Sequence, residues 1–139
     1  MEYGSLREKI AAEGKARKER YAKFAAVYEK AVAAGLAAGQ AAVPVAMVVR
    51  EEVPATGRSW YVSEGICGFA WVNVYPGNSS FALWLKKNGH ASKAYQGGMQ
   101  VWVSEFGQSM QRKEAYAAAM AETFRNELGV KAYSGSRMD

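Results

Sequence analysis

The sequence is poor in the residues on which most hydrolytic enzymes and metal proteins rely. It holds one histidine, His90, one cysteine, Cys67, and no aspartate before Asp139. Zinc takes several nitrogen or sulfur ligands, and His90 and Cys67 alone cannot supply them, so neither a metal nor another cofactor is expected. The same scarcity leaves no hydrolytic triad and no general acid–base pair, and no catalytic residue is assigned. A lone thiol cannot form a disulfide within the chain; in the apolar run Ile66–Trp71 it reads as a small core residue. A glycine-rich phosphate loop is missing too, because Gly97-Gly98 precedes a strand pattern and no Lys-Ser/Thr follows it. Met1-Glu2-Tyr3-Gly4-Ser5 lacks the basic-then-apolar order of a secretory signal, which makes a reducing cytoplasm the expected compartment.

Long hydrophobic runs are equally scarce. The stretch from Ala31 to Val49 carries no charge, but it is mostly alanine and glycine and is interrupted by Gln40 and Pro44. Such a segment inserts weakly into lipid, and no membrane span is expected.

What remains is the mixture of an ordinary globular domain: 139 residues, 50% hydrophobic and 22% charged, with a net charge of +5. The positive surplus gathers near the start, where Arg7, Lys9, Lys15, Arg17, Lys18, Arg20, Lys23 and Lys30 outnumber Glu2, Glu8, Glu13, Glu19 and Glu29. A mixed-sign run of this kind reads first as a solvated helix face with i,i+4 pairs such as Glu19 with Lys23. The alternative reading is a nucleic-acid stripe carried by Lys15, Arg17, Lys18 and Arg20.

Strong helix formers run from Ser5 to about Gln40, and Gly35 and Gly39 are expected to end that helix. Its apolar face is incomplete, because Gly14 and Arg17 fall between Ile10 and Tyr21 where apolar residues would be needed. The first turns should therefore project or pack on a second copy, which makes a homo-oligomer the expectation. The chain divides into residues 1–40, a helical extension or oligomerisation element, and residues 41–139, an α+β core domain.

Within that core, Val43–Val49 reads as an edge strand, since Pro44 cannot donate a ladder hydrogen bond. A loop over 50–58, holding Glu51, Glu52, Pro54 and Gly57, leads to a short strand at Trp60-Tyr61-Val62. Ile66–Tyr75 is apolar on both alternating faces, which predicts a central strand covered on both sides. Phe81–Asn88 is a short helix capped from Asn78, Ser79 or Ser80, and His90–Gly98 is a loop with a solvated His90. Met99–Val103 alternates as a strand, Ser109 caps a helix over Met110–Leu128 that Gly129 ends, and Val130–Tyr133 is a last short strand. The expected fold is α+β, a small mixed β-sheet packed by two C-terminal helices and preceded by a long N-terminal helix.

The candidate ligand-binding residues lie at the start of the Ser109 helix. Gln108, Ser109, Arg112 and Lys113 bring a hydroxyl, free backbone N–H groups and two cations to a helix N-terminus, where the helix dipole disfavours positive charge. A bound anion would offset that misplacement. The plainer alternative is that Ser109 caps its own helix while Arg112 and Lys113 face water or pair with Glu105. Should the last strand join the sheet, Arg137 and Asp139 come to the same place and Arg137 completes the set. Trp71, Trp84 and Trp102 fall in apolar periodic segments and read as core. Trp60 and Tyr61 beside Arg58, and Tyr95 near Lys93, read as exposed aromatic-plus-cation pairs. Asn73, between Trp71 and Tyr75, needs a hydrogen-bond partner if it is buried.

Three segments carry a resemblance. Gly65-Ile66-Cys67-Gly68-Phe69-Ala70-Trp71-Val72, Gln108-Ser109 with Arg112-Lys113-Glu114-Ala115, and the ending Ala132-Tyr133-Ser134-Gly135-Ser136-Arg137-Met138-Asp139 are similar to a widespread family of small, uncharacterised proteins of tailed bacteriophages. The likeness covers about residues 60–139, with the N-terminal helix outside it. It implies a phage accessory protein made in an infected bacterium and acting by binding, in host takeover or defence evasion, and it carries over no catalytic residue. The expected partner is a host protein or a small anionic ligand; the alternative is a sequence-tolerant nucleic-acid binder using the basic N-terminal helix.

Overall fold

The Ser5 hydroxyl accepts the Glu8 N–H at 3.2 Å and opens helix α1, Leu6–Ala41, the longest element of the chain. The computed structural model describes residues 5–50, 57 and 59–139. Glu51, Glu52, Pro54 and Arg58 lie outside them. At 1.5 Å per residue α1 is about 54 Å long. Its first turns project as the incomplete apolar face predicts: Leu6 is 73% exposed, and every residue up to Arg20 except Gly14 lies in the exposed range. From Tyr21 onward the helix joins the body, and Phe24, Val27 and Ala31 are buried in the same core as the C-terminal half. The second half of α1 is thus part of the core rather than an extension of it.

Gly35 and Gly39 do not end α1. They lie inside it, where the Tyr116 and Phe106 rings press on the bare helix backbone. A Cβ at Gly35 would stand 2.8 Å from Tyr116 Cδ2 and 3.0 Å from its Cγ. Tyr116 is itself buried, so its ring has little room to yield. Gly35→Ala should therefore lower the unfolding midpoint, because overpacking of about 1–3 kcal/mol exceeds the propensity gain of about 1 kcal/mol. Gly14→Ala should raise it, since a Cβ there meets nothing within 4 Å. Opposite signs in thermal melts of the two variants check the assignment.

Strand β1, Met47–Arg50, starts only after Pro44 and pairs antiparallel with β2, Ser59–Val62. These two form a sheet of their own rather than an edge of the main one. The main sheet contains β3 (Gly68–Tyr75), β4 (Ser92–Lys93), β5 (Met99–Trp102) and β6 (Lys131–Met138), in the order β4-β5-β3-β6. Its pairings are antiparallel throughout, not mixed. Between the strands lie α2, Ser80–Lys87, capped by Ser79, and α3, Met110–Leu128, capped by Ser109 and closed by left-handed Gly129.

The helices cover one face of this sheet. Ala70, Val72 and Val74 of β3, Met99 and Val101 of β5 and Ala132 of β6 are buried beneath α2 and α3. Phe81 of α2 meets Phe24 of α1 at 5.2 Å and Phe124 of α3 at 4.9 Å, edge to face, and so ties the three helices together. Each phenylalanine buried in this way contributes about 2 kcal/mol of transfer free energy. His90, expected in solvent, instead stacks on Tyr28 at 3.9 Å, and this burial lowers its pKa below the ordinary histidine value.

Candidate functional site

Strand β3 is central, as its two apolar faces predict, but it is covered on one side only. Gly68, Ala70, Val72 and Val74 are buried, whereas Phe69, Trp71 and Asn73 are half-buried and Tyr75 is exposed. The register extends this second face across the sheet. Trp71 is opposite Trp102 and Asn73 opposite Gln100 on β5; on β6, Phe69 is opposite Arg137, Trp71 opposite Gly135 and Asn73 opposite Tyr133. Directly opposed residues share a face, so two tryptophans, a phenylalanine, two tyrosines, two amides and an arginine are gathered on one open surface.

Its centre is an indole pair. Trp71 and Trp102 are tilted at 48° with ring centres 5.1 Å apart, and Phe69 meets Trp102 edge-on at 6.1 Å. Trp102 remains 45% exposed. The expectation that Trp71 and Trp102 belong to the core therefore fails, whereas Trp84 is buried as expected. The Trp71 indole lies across Gly135, where a Cβ would stand 2.6 Å from its Nε1. Beside the pair runs a groove of about 370 Å3, walled by Tyr75 and the 94–97 turn and floored by Asn73 and Gln100. The Gln100 Nε2 donates to Asn73 Oδ1 at 3.3 Å, which gives Asn73 its partner.

Two cations flank the aromatic surface. The Arg137 guanidinium carbon lies 5.4 Å from the centre of the Phe69 ring, and the Lys113 ammonium lies 5.9 Å from the same centre. Lys113 is only 6% exposed and forms no ion pair among the described residues. The long aliphatic stem of Lys113 is buried beside the sheet, and its ammonium is not among the buried side-chain atoms left without a partner.

The structure divides the residues expected at the helix start. It brings Lys113 and Arg137 together at Phe69, but it engages Ser109 and Arg112 internally. Ser109 accepts the Arg112 N–H at 3.4 Å and donates its hydroxyl proton to the Glu64 carbonyl at 2.9 Å, while the Met110 N–H is held by the Ile66 carbonyl. The Arg112 side chain donates through Nε to Glu64 at 2.6 Å and through Nη1 to the Gly39 and Gln40 carbonyls at 2.8 and 3.1 Å. The cation disfavoured by the start of α3 thus sits at the end of α1, where the dipole favours it, and its carboxylate partner is Glu64 rather than Glu105. Gln108 is exposed and contributes its backbone carbonyl to the Gly68 N–H. Cys67, expected in the core, is exposed just before β3. Glu105 lies beside Tyr116, whose pKa is raised by burial first and by this carboxylate second.

No protein-family model, curated protein or solved structure matches the chain.

Lys15, Arg17, Lys18 and Arg20 are exposed on the projecting part of α1, a helix that packs on α3 and α2. They belong to the helical layer and not to the open sheet face. No helix among the described residues is long and apolar enough to cross a membrane. One sequence signal for the open face was available: Trp102 alternates in phase with the polar Gln100 and Ser104, whereas Met99, Val101 and Val103 mark the buried side.

Proposed function

We propose that this chain is a binding protein for single-stranded nucleic acid and that the uncovered aromatic face of the main sheet is its contact surface. The observation that carries the reading is the Trp71–Trp102 pair, open on the sheet and flanked by the exposed guanidinium of Arg137. Unpaired bases expose flat π-faces linked by phosphates. Exposed aromatic rings offer stacking surfaces to the first, and cations at the margin meet the second. Lys131, exposed opposite Tyr75, adds a second positive group on the same face. Trp, Tyr and Arg also dominate protein-interface hot spots, so titration with a single strand, and not the composition of the face, separates a nucleic-acid strand from a protein partner. The reading refines the expected anionic ligand into a polyanion with bases, and it moves the nucleic-acid contact from the α1 cations to the sheet.

Fluorescence anisotropy with a labelled single strand of about 12 nucleotides, and with its duplex, tests this reading. The single strand should bind more tightly, because a duplex keeps its bases stacked away from the tryptophans. With two phosphate contacts, from Arg137 and Lys131, the logarithm of affinity should fall against the logarithm of salt with a slope of about −1.4. Absence of binding at low salt, or a preference for duplex, would overturn the proposal.

A further inference from the structure

Resting on that reading, we infer that the groove beside the indole pair holds one nucleotide and that Asn73 and Gln100 read the edge of its base, so that binding discriminates among bases. The groove is about 370 Å3, within the size range of small-ligand sites, and Trp71, Trp102 and Arg137 line it together with the two amides. A base lying against the indoles presents its edge along the sheet, and the residues next in line on that face, one register step from Trp71 and Trp102, are Asn73 and Gln100. Arg137, in the same groove, is placed for the phosphate of the same nucleotide.

The two amides form a unit. Gln100 Nε2 donates to Asn73 Oδ1, which fixes each amide relative to the other. The unit still offers the Asn73 Nδ2 hydrogens as donors and the Gln100 Oε1 as an acceptor, since an amide carries two N–H groups and an oxygen with two lone pairs. The edge of each common base presents donors and acceptors in its own order, and a fixed donor–acceptor pair matches those orders unequally. Stacking alone tolerates every base, because every base has a π-face. The amide unit therefore adds selectivity to a platform that otherwise lacks it.

The test compares 12-mers of deoxyadenosine, deoxycytidine and thymidine, and a 12-mer of abasic sugar phosphate, against the full chain and the variant Asn73→Leu with Gln100→Met. Both replacements preserve approximate volume while removing the hydrogen-bonding groups. The wild type should show a spread of roughly tenfold among the three base-bearing strands, the size of one good base contact. The variant should reduce that spread to about twofold and leave the abasic strand's affinity unchanged, because phosphate contacts carry no base information. Equal affinities in the wild type, or a spread that survives in the variant, would overturn amide readout while leaving single-strand binding intact. Failure of all four strands to bind would overturn the binding reading itself. If the double variant does not melt cooperatively, Gln100→Met alone carries the comparison, with the same outcomes deciding.

Discussion

Replacing Trp71 and Trp102 together by alanine is expected to weaken single-strand binding by at least about 30-fold. Each base stacked on an aromatic side chain contributes about 1–3 kcal/mol, so loss of two platforms at the lower limit amounts to about 2 kcal/mol. The fold should survive. Neither indole belongs to the buried core, which is formed by Phe81, Phe124, Leu85, Met120, Val72 and Val74 on the opposite face of the sheet. The stability cost should stay near 1–2 kcal/mol, below the roughly 3–5 kcal/mol that truncating a fully buried aromatic entails. Anisotropy titrations alongside thermal melts separate the two effects. An affinity loss under threefold with an intact melt would show that the indoles do not stack on the ligand.

Arg112→Ala is expected to do the reverse, with stability falling and affinity holding. Three hydrogen bonds leave its guanidinium, one to the Glu64 carboxylate and two to the carbonyls of Gly39 and Gln40 at the end of α1. The last turn of α1 contains no basic residue of its own, so Arg112 is the charge that completes it. Hydrogen bonds to charged groups contribute about 1.5–3 kcal/mol when buried, and the partial exposure of this pair places the cost near 2 kcal/mol. For a domain of this size that corresponds to a midpoint lower by about 6–8 °C. Binding of a single strand should stay within twofold, because Arg112 faces α1 and not the sheet. An unchanged midpoint combined with a tenfold loss of affinity would return Arg112 to the ligand site.

These contrasts show where the sequence was legible. The positions of β3, β5, α2 and α3, with their serine caps at Ser79 and Ser109, could be read because local periodicity and capping chemistry act over a few residues. The misplaced cation at Arg112 was also visible. Its resolution was not, since the compensating carbonyls lie more than seventy positions earlier in the chain. Gly35 and Gly39 carried two meanings, helix terminator or close-packing site, and only the position of Tyr116 and Phe106 decides between them. The same ambiguity hid the open face. Strand β3, apolar on both sides, has one pattern whether its second side meets a layer of helices or meets solvent, and only the neighbouring β5, where Trp102 alternates with Gln100 and Ser104, tells these apart. Strand β6 was underestimated for a related reason: Ser134-Gly135-Ser136 looks like a fraying end, yet small residues fit a strand whose neighbour lays an indole across it.

That last contact has a consequence for how the sequence can change over time. Ser134, beside Gly135, is exposed and can drift among small polar residues, whereas Ser136 donates its hydroxyl to Glu114 at 3.1 Å and needs a donor there. Position 135 has no such latitude, because even one methyl group would wedge under Trp71 and tip its ring away from the strand. The levelness of the exposed surface is set from below, by a residue that offers no side chain to any visitor.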